Sequence, residues 1–280
     1  MLLKSRVLGN SVACEVVGLR LWEPQDDQTI DRLRALWAQH PVLVFRRQAL
    51  SEDELADVSA RFGPLERTVR TDWASSVRPE VSLISNLKDA QATPIGGLGD
   101  GEIQWHSDQS YMLNPATGAM LYALELPSEG GVTSWVDLCA AYAGLPERLK
   151  RAVDGKCAIF SYVKRLAGYQ GIDRMISEEA KRKTPPILHP LVHTHPVTGR
   201  KALYLDSTTT VGIDGMDEAS GSVLLGEIYD FVTRPQFVYR HHWKQGDFVI
   251  WDNRGAMHRV IPYDWESGRM MHRTSIASED

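Results

Sequence analysis

Cysteine is scarce in this chain: Cys14, Cys139 and Cys157 are its only three, widely spaced and without a Cys-x-x-Cys pair. An odd, dispersed set excludes a disulfide scaffold and fits a reducing compartment. Long apolar runs are missing too. Nothing approaches the ~18 consecutive apolar residues of a membrane span, and the opening Met-Leu-Leu-Lys-Ser-Arg-Val lacks the apolar stretch of a secretory signal. A cytoplasmic protein with no membrane contact is therefore expected. Basic charge is also in deficit: 31 Lys and Arg against 36 Asp and Glu leave a formal charge of -5. That balance gives no global footprint for nucleic acid, so any bound anion must be held by a local site. Repeats and low-complexity segments are absent.

Hydrophobic residues make up 43% of the 280 and charged residues 24%, with eight Trp and nine Tyr, ample material for a core. Residues 1 to 280 read as one domain. The first third has an α/β texture. Ile30, Leu33, Leu36 and Trp37 fall at helical spacing, Pro41-Val-Leu-Val-Phe45 reads as a buried strand, and Ser51-Glu-Asp-Glu opens a capped helix that stops before Gly63-Pro64. Residues 66 to 101 are irregular and glycine-rich towards their end, as a lid or substrate loop would be, apart from a strand-like Val81-Ser-Leu-Ile84.

Short strands then follow at 118–124 and 132–136, a helix at 137–153, a polar insert around 163–186, and strands at 188–194, 201–205, 237–242, 247–251 and 269–275, with a helix between Asp217 and Val232. Many short strands broken by turns, with few helices, favour a mainly β sandwich or jelly roll with flanking helices over a doubly wound sheet.

The chemistry concentrates in Ile-Gln-Trp-His-Ser-Asp (103 to 108) and in His258. On extended chain, residues i and i+2 project to one side, so His106 and Asp108 can face one ion while Ser107 faces away. One further imidazole completes the 2-His-1-carboxylate set that holds non-haem Fe(II) and leaves coordination positions open. Trp105 and Tyr111 would form an apolar rim.

The chain has nine histidines. His193 and His195 repeat the i, i+2 spacing but sit in a turn-like hairpin with no acidic neighbour, and they read as exposed. His241 and His242 alternate across a strand, and His40 before Pro41 ends a helix. His258 follows Val-Ile-Trp-Asp-Asn-Arg-Gly-Ala-Met, an apolar strand turned back by Asp252-Asn253, so the returning strand carries it inward.

Trp-His-Ser-Asp (105 to 108), Thr133 after a Gly-Gly turn, Trp-Asp-Asn-Arg (251 to 254) with His258, and Arg269 followed by His272-Arg273 together resemble the taurine/2,4-dichlorophenoxyacetate dioxygenase family. Val-Leu-Val-Phe-Arg (42 to 46) and Arg-Phe-Gly-Pro-Leu (61 to 65) extend the likeness over essentially the whole chain. The resemblance implies a double-stranded β-helix, the distorted jelly roll. It also implies a dioxygenase using Fe(II), 2-oxoglutarate and O2, with His106, Asp108 and His258 on the metal and Thr133 and Arg269 on the far carboxylate of 2-oxoglutarate. A planar guanidinium fork suits that carboxylate.

Arg273, four residues on, shares a strand face with Arg269. Two inward arginines call for two anions, so the resemblance gives Arg273 the substrate's anionic group. The stretch Glu66-Arg-Thr-Val-Arg-Thr-Asp-Trp73 lacks the histidine and tyrosine that taurine users carry, which argues against taurine. Pro-Leu-Val-His-Thr-His (190 to 195) and Phe-Val-Tyr-Arg-His (237 to 241) resemble the aryloxyalkanoate branch.

Hydroxylation next to an ether oxygen would there cleave the ether, and a carboxylate at Asp108 rather than a halide position favours hydroxylation. Arg67, Arg70, Asn86 and Lys88 could supplement Arg273, although a solvated loop suits each. A sulfonate or sulfate-ester dioxygenase, a zinc hydrolase and a metal-free jelly-roll binding module remain as alternatives. The expected partner is a small anionic organic molecule, and the protein is expected to form a homo-oligomer.

Overall fold

The computed structural model describes residues 3–67, 73–97, 104–167, 182–264 and 266–278. Arg70, the lid residues 68–72 and 98–101, and residues 168–181 of the polar insert lie outside them. The strands are β1 (Lys4–Leu8), β2 (Ala13–Val17), β3 (Val42–Phe45), β4 (Ser82–Ser85), β5 (Gly118–Glu125), β6 (Thr133–Asp137), β7 (Cys157–Phe160), β8 (Ile187–Pro190), β9 (Val192–Thr194), β10 (Lys201–Leu203), β11 (Thr210–Ile213), β12 (Val238–His241), β13 (Phe248–Asp252), β14 (Ala256–Val260) and β15 (Met270–Ile276). Among the described residues the α-helices are α1 (Asp27–Gln39), α2 (Glu52–Ala60), α3 (Leu138–Gly144), α4 (Glu147–Val153), α5 (Tyr162–Ala167) and α6 (Glu218–Val232).

A seven-stranded sheet in the order β1-β2-β3-β13-β5-β15-β4 faces a three-stranded sheet in the order β12-β6-β14, the two layers of a jelly roll. Strand β13 shows how the layers are assigned. Phe248 and Ile250 point to a cluster with α1 and α2, whereas Val249 and Trp251 point to the space between the sheets, where Trp135 of β6 and Met271 of β15 meet them. This is the period of two of a strand buried on both faces. A third cluster joins the far side of the small sheet, through Val136 and Met257, to α3, α4 and α6.

The helices start where local chemistry dictates. Asp26 accepts the Thr29 amide at the head of α1, and Ser51 with Glu54 forms a reciprocal capping box on α2. Ile30, Leu33 and Trp37 make the buried stripe of α1, and His40 caps its end as the sequence implied.

Three expectations are revised. The helix read at 137–153 is two helices, because Pro146 cannot continue the first and instead begins the second. The strand read at 188–194 breaks at Leu191, with β8 pairing to β7 and β9 to β10. Strands β1, β2, β7 and β11 went unrecognised; β1 is almost wholly exposed, so it carries no alternating apolar signal. Among the described residues, no helix is long and apolar enough to cross a membrane.

Candidate active site

His106 lies beside the edge strand β14 and bridges to it by a reciprocal backbone pair: His106 N donates to His258 O at 2.9 Å and His258 N to His106 O at 2.8 Å. Two residues distant in sequence are thereby held side by side, ring centroids 4.2 Å apart. One ligand atom from each of His106, Asp108 and His258 falls within 4.8 Å of the others, and all three residues are buried. The Gln104 carbonyl engages His106 Nδ1 at 2.8 Å, which would leave Nε2 to serve as a ligand atom. Trp251 packs 4.8 Å from the His258 ring. Two imidazoles and a carboxylate converging in a buried space fit Fe(II).

Ser107 faces away, as the alternation required. Its hydroxyl donates towards the carbonyls of Leu205 and Ala256, at 3.2 and 3.3 Å. Asp206, fully buried, braces the same turn. Its Oδ2 accepts from the Ser110 hydroxyl at 2.6 Å and from the Ser107 amide at 3.3 Å, and its Oδ1 accepts from the Thr208 amide and hydroxyl. Asp206 was missed in the sequence. The only available signal was an aspartate between an apolar strand and a polar Ser-Thr-Thr-Thr run.

Arg269, Met271 and Arg273 share the inner face of the β15 segment. Arg269 is 1% exposed, with Nε and Nη2 directed at Met271 Sδ (3.2 and 3.0 Å) and its guanidinium 5.4 Å from the Tyr263 ring. The Asn86 side chain accepts the Arg269 amide at 2.8 Å and donates to Ser267 O at 2.9 Å, so it fixes the backbone that carries Arg269. Lys88 and Arg67 are exposed. A Cβ at Gly131 would sit 3.7 Å from Arg269 Nη1, which places the turn before β6 next to that guanidinium. Thr133 itself is 2% exposed.

Arg273 reaches the metal cluster, its Nη2 2.8 Å from Asp108 Oδ2 and its guanidinium 5.8 Å from the Trp251 ring. Beside it Tyr111 stacks at a tilt on Tyr162, centroids 4.7 Å apart. Burial first, and then the neighbouring Tyr162 and Asp108, push the Tyr111 phenol up to about 12, so it is a neutral ring wall at neutral pH. Trp105, expected on the rim, lies under Arg259 at 4.8 Å.

His193 and His195 were expected to be an exposed hairpin without an acidic partner. The hairpin forms, but His195 is 4% exposed, and its Nε2 meets Asp252 Oδ2 at 3.0 Å. The partner came from 57 residues away, beyond any local pattern. His241 and His242 do alternate: His241 is buried and His242 exposed.

The profile of the family described as "Taurine catabolism dioxygenase TauD, TfdA family" matches residues 4–275. A (S)-phenoxypropionate/alpha-ketoglutarate-dioxygenase of Sphingobium herbicidovorans is 36% identical over 94% of this chain and 91% of its own length. An alpha-ketoglutarate-dependent 2,4-dichlorophenoxyacetate dioxygenase of Cupriavidus pinatubonensis is 34% identical over 95% of each. The crystal structure of AAD-2 in complex with Mn(II) and N-oxalylglycine superposes with a TM-score of 0.85 at 30% identity, covering 100% of this chain and 99% of that one. With the His106, Asp108 and His258 cluster inside a jelly roll, these likenesses establish that the chain belongs to the TauD/TfdA family of Fe(II)- and 2-oxoglutarate-dependent dioxygenases.

Proposed function

We propose that the enzyme hydroxylates a small carboxylate of the aryloxyalkanoate class at the carbon beside the ether oxygen, so that the resulting hemiacetal collapses and the ether is cleaved. The carrying observation is Arg273, whose guanidinium stands 2.8 Å from Asp108, next to the metal ligands and distinct from the deeper Arg269. A cation this close to the reacting centre suits a substrate whose carboxylate lies only a bond or two from the attacked carbon. The fork of Arg273 matches a carboxylate bidentately. Tyr111 and Tyr162 offer aromatic faces for a ring at the other end.

In this reading His106, Asp108 and His258 hold Fe(II), which with 2-oxoglutarate and O2 supplies the oxidising chemistry and yields succinate and CO2. Arg269 and Thr133 hold the distal carboxylate of 2-oxoglutarate. Arg273 fixes the substrate so that one C–H bond faces the metal, and the packed Trp251, Trp135 and Met271 exclude water behind it. The relatives named for phenoxypropionate and 2,4-dichlorophenoxyacetate support this choice.

Succinate release measured over a panel of aryloxyalkanoates, alkylsulfonates, sulfate esters and amino acids tests it. Aryloxyalkanoates are expected to turn over best, and Arg273→Ala to raise their KM by roughly 30-fold or more, the value of a charge-assisted pair. Turnover of a carboxylate that survives Arg273→Ala unchanged would refute the anchor. Self-association belongs to the same proposal and is supported by exposed Leu113 and Val197 lining one cleft of about 750 Å³. Sedimentation reads it directly.

A further inference from the structure

Thr133 accepts a hydrogen bond from Trp243, whose indole Nε1–H donates to Oγ1 at 2.9 Å. The polarity is fixed by chemistry. An indole N–H can only donate, and a threonine hydroxyl has one proton and two lone pairs. With a lone pair of Thr133 taken by Trp243, its proton is left to donate elsewhere. A hydroxyl committed as donor is what a carboxylate needs, and one committed as acceptor would repel it.

Trp243 is itself held rigidly. Its ring meets the His241 ring edge-on, centroids 4.5 Å apart at 81°. His241 is fully buried and fixed at both nitrogens, Nδ1 to the Tyr239 hydroxyl at 2.9 Å and Nε2 to Asp247 Oδ2 at 3.1 Å. Arg46 and the Lys244 amide hold Asp247 in turn. His241 also stands opposite Thr133 in the β12–β6 register, so imidazole, indole and hydroxyl form one packed unit. The buried polar residues of β12 and the turn after it, which the metal does not use, thereby acquire a purpose.

We propose that Trp243 is a positioning residue for 2-oxoglutarate: it sets the Thr133 hydroxyl as a donor towards the distal carboxylate that Arg269 also holds. The inference rests on the reading that Thr133 contacts the cosubstrate. Calorimetric titration of 2-oxoglutarate into the Mn(II)-loaded protein without oxygen tests both, alongside Mn(II) affinity and thermal melting.

Thr133→Val is expected to weaken 2-oxoglutarate about tenfold and Trp243→Phe about three- to tenfold, with Mn(II) affinity unchanged. In Trp243→His the imidazole Nε2 can occupy the place of the indole nitrogen, so binding recovers towards wild type. The Trp243→Phe/Thr133→Val double variant should bind no worse than Thr133→Val alone.

Unaltered binding by Thr133→Val would sink the reading of Thr133 itself. Weakened binding by Thr133→Val, together with a Trp243→Phe loss that persists in full on that background or that Trp243→His does not repair, would sink only the role of Trp243. Should Trp243→Phe fail to fold, Trp243→His decides, since a folded His variant with binding as weak as Thr133→Val refutes a donor role.

Discussion

Two of the buried histidine–aspartate clusters in this protein use the same side chains to opposite ends. Around His106, Asp108 and His258 the ligand atoms converge within 4.8 Å of one another. Around Asp252 the cluster closes on itself: Oδ1 accepts from the Arg254 amide and Nε, both at 2.9 Å, and Oδ2 from Arg254 Nη2 at 2.7 Å and His195 at 3.0 Å. Four N–H donors saturate the Asp252 carboxylate, so it braces the turn between β13 and β14. The lesson is that backbone placement, and not residue type, separates a metal site from a strut. His106 and His258 are locked side by side by their own amides, whereas His195 arrives end-on as a donor.

The sharpest way to break this contrast is at the proposed metal ligands. Asp108→Ala should lower Fe(II)-dependent succinate formation and Mn(II) affinity by more than ~100-fold, since even residues that only support ligands cost 10–100-fold, while melting stays near wild type. Measurable 2-oxoglutarate turnover at the wild-type rate would end the assignment. Asp252→Asn should do the reverse. Leaving Arg254 and His195 without the buried negative charge and one of its two acceptor oxygens costs about 3 kcal/mol, roughly 6–12 °C in Tm for a chain of this size, with Mn(II) affinity kept within a few-fold. An Asp252→Asn protein that melts normally but loses metal would show that the two clusters are not separable.

A smaller effect is expected from pH. Burial would raise the Asp252 carboxyl, but Arg254 and His195 outweigh it and hold it at about 2, below its ordinary 3.8. A depressed carboxylate contributes stability that is present above its unfolded pKa and lost as pH falls through the folded one. Tm should therefore fall between about pH 4 and pH 2, and Asp252→Asn should flatten that part of the slope. Equal slopes in the two proteins would remove Asp252 from the account.

Much of this was legible in one dimension. The i, i+2 pair of His106 and Asp108, the strand-turn-strand ending in His258, and the alternation that puts Arg269 and Arg273 on one face are local patterns with a period of two, and the structure assembles them as read. The capping of α2 was equally local. What escaped were partnerships across the chain: Asp206 with Ser107 and Ser110, His195 with Asp252, and Trp243 with Thr133 across 110 residues. The exposed β1 escaped for the same reason, since its strand character comes from pairing with β2 and not from its own pattern.

The sequence by itself determined the ligand types, their local spacing and the mainly β architecture, because side-chain chemistry and backbone periodicity are properties of neighbouring residues. Only the tertiary structure decided which histidine–aspartate pairs converge and which close on themselves. That choice depends on the direction from which each donor arrives, and direction is set by sheet register and by turns that bring distant strands together.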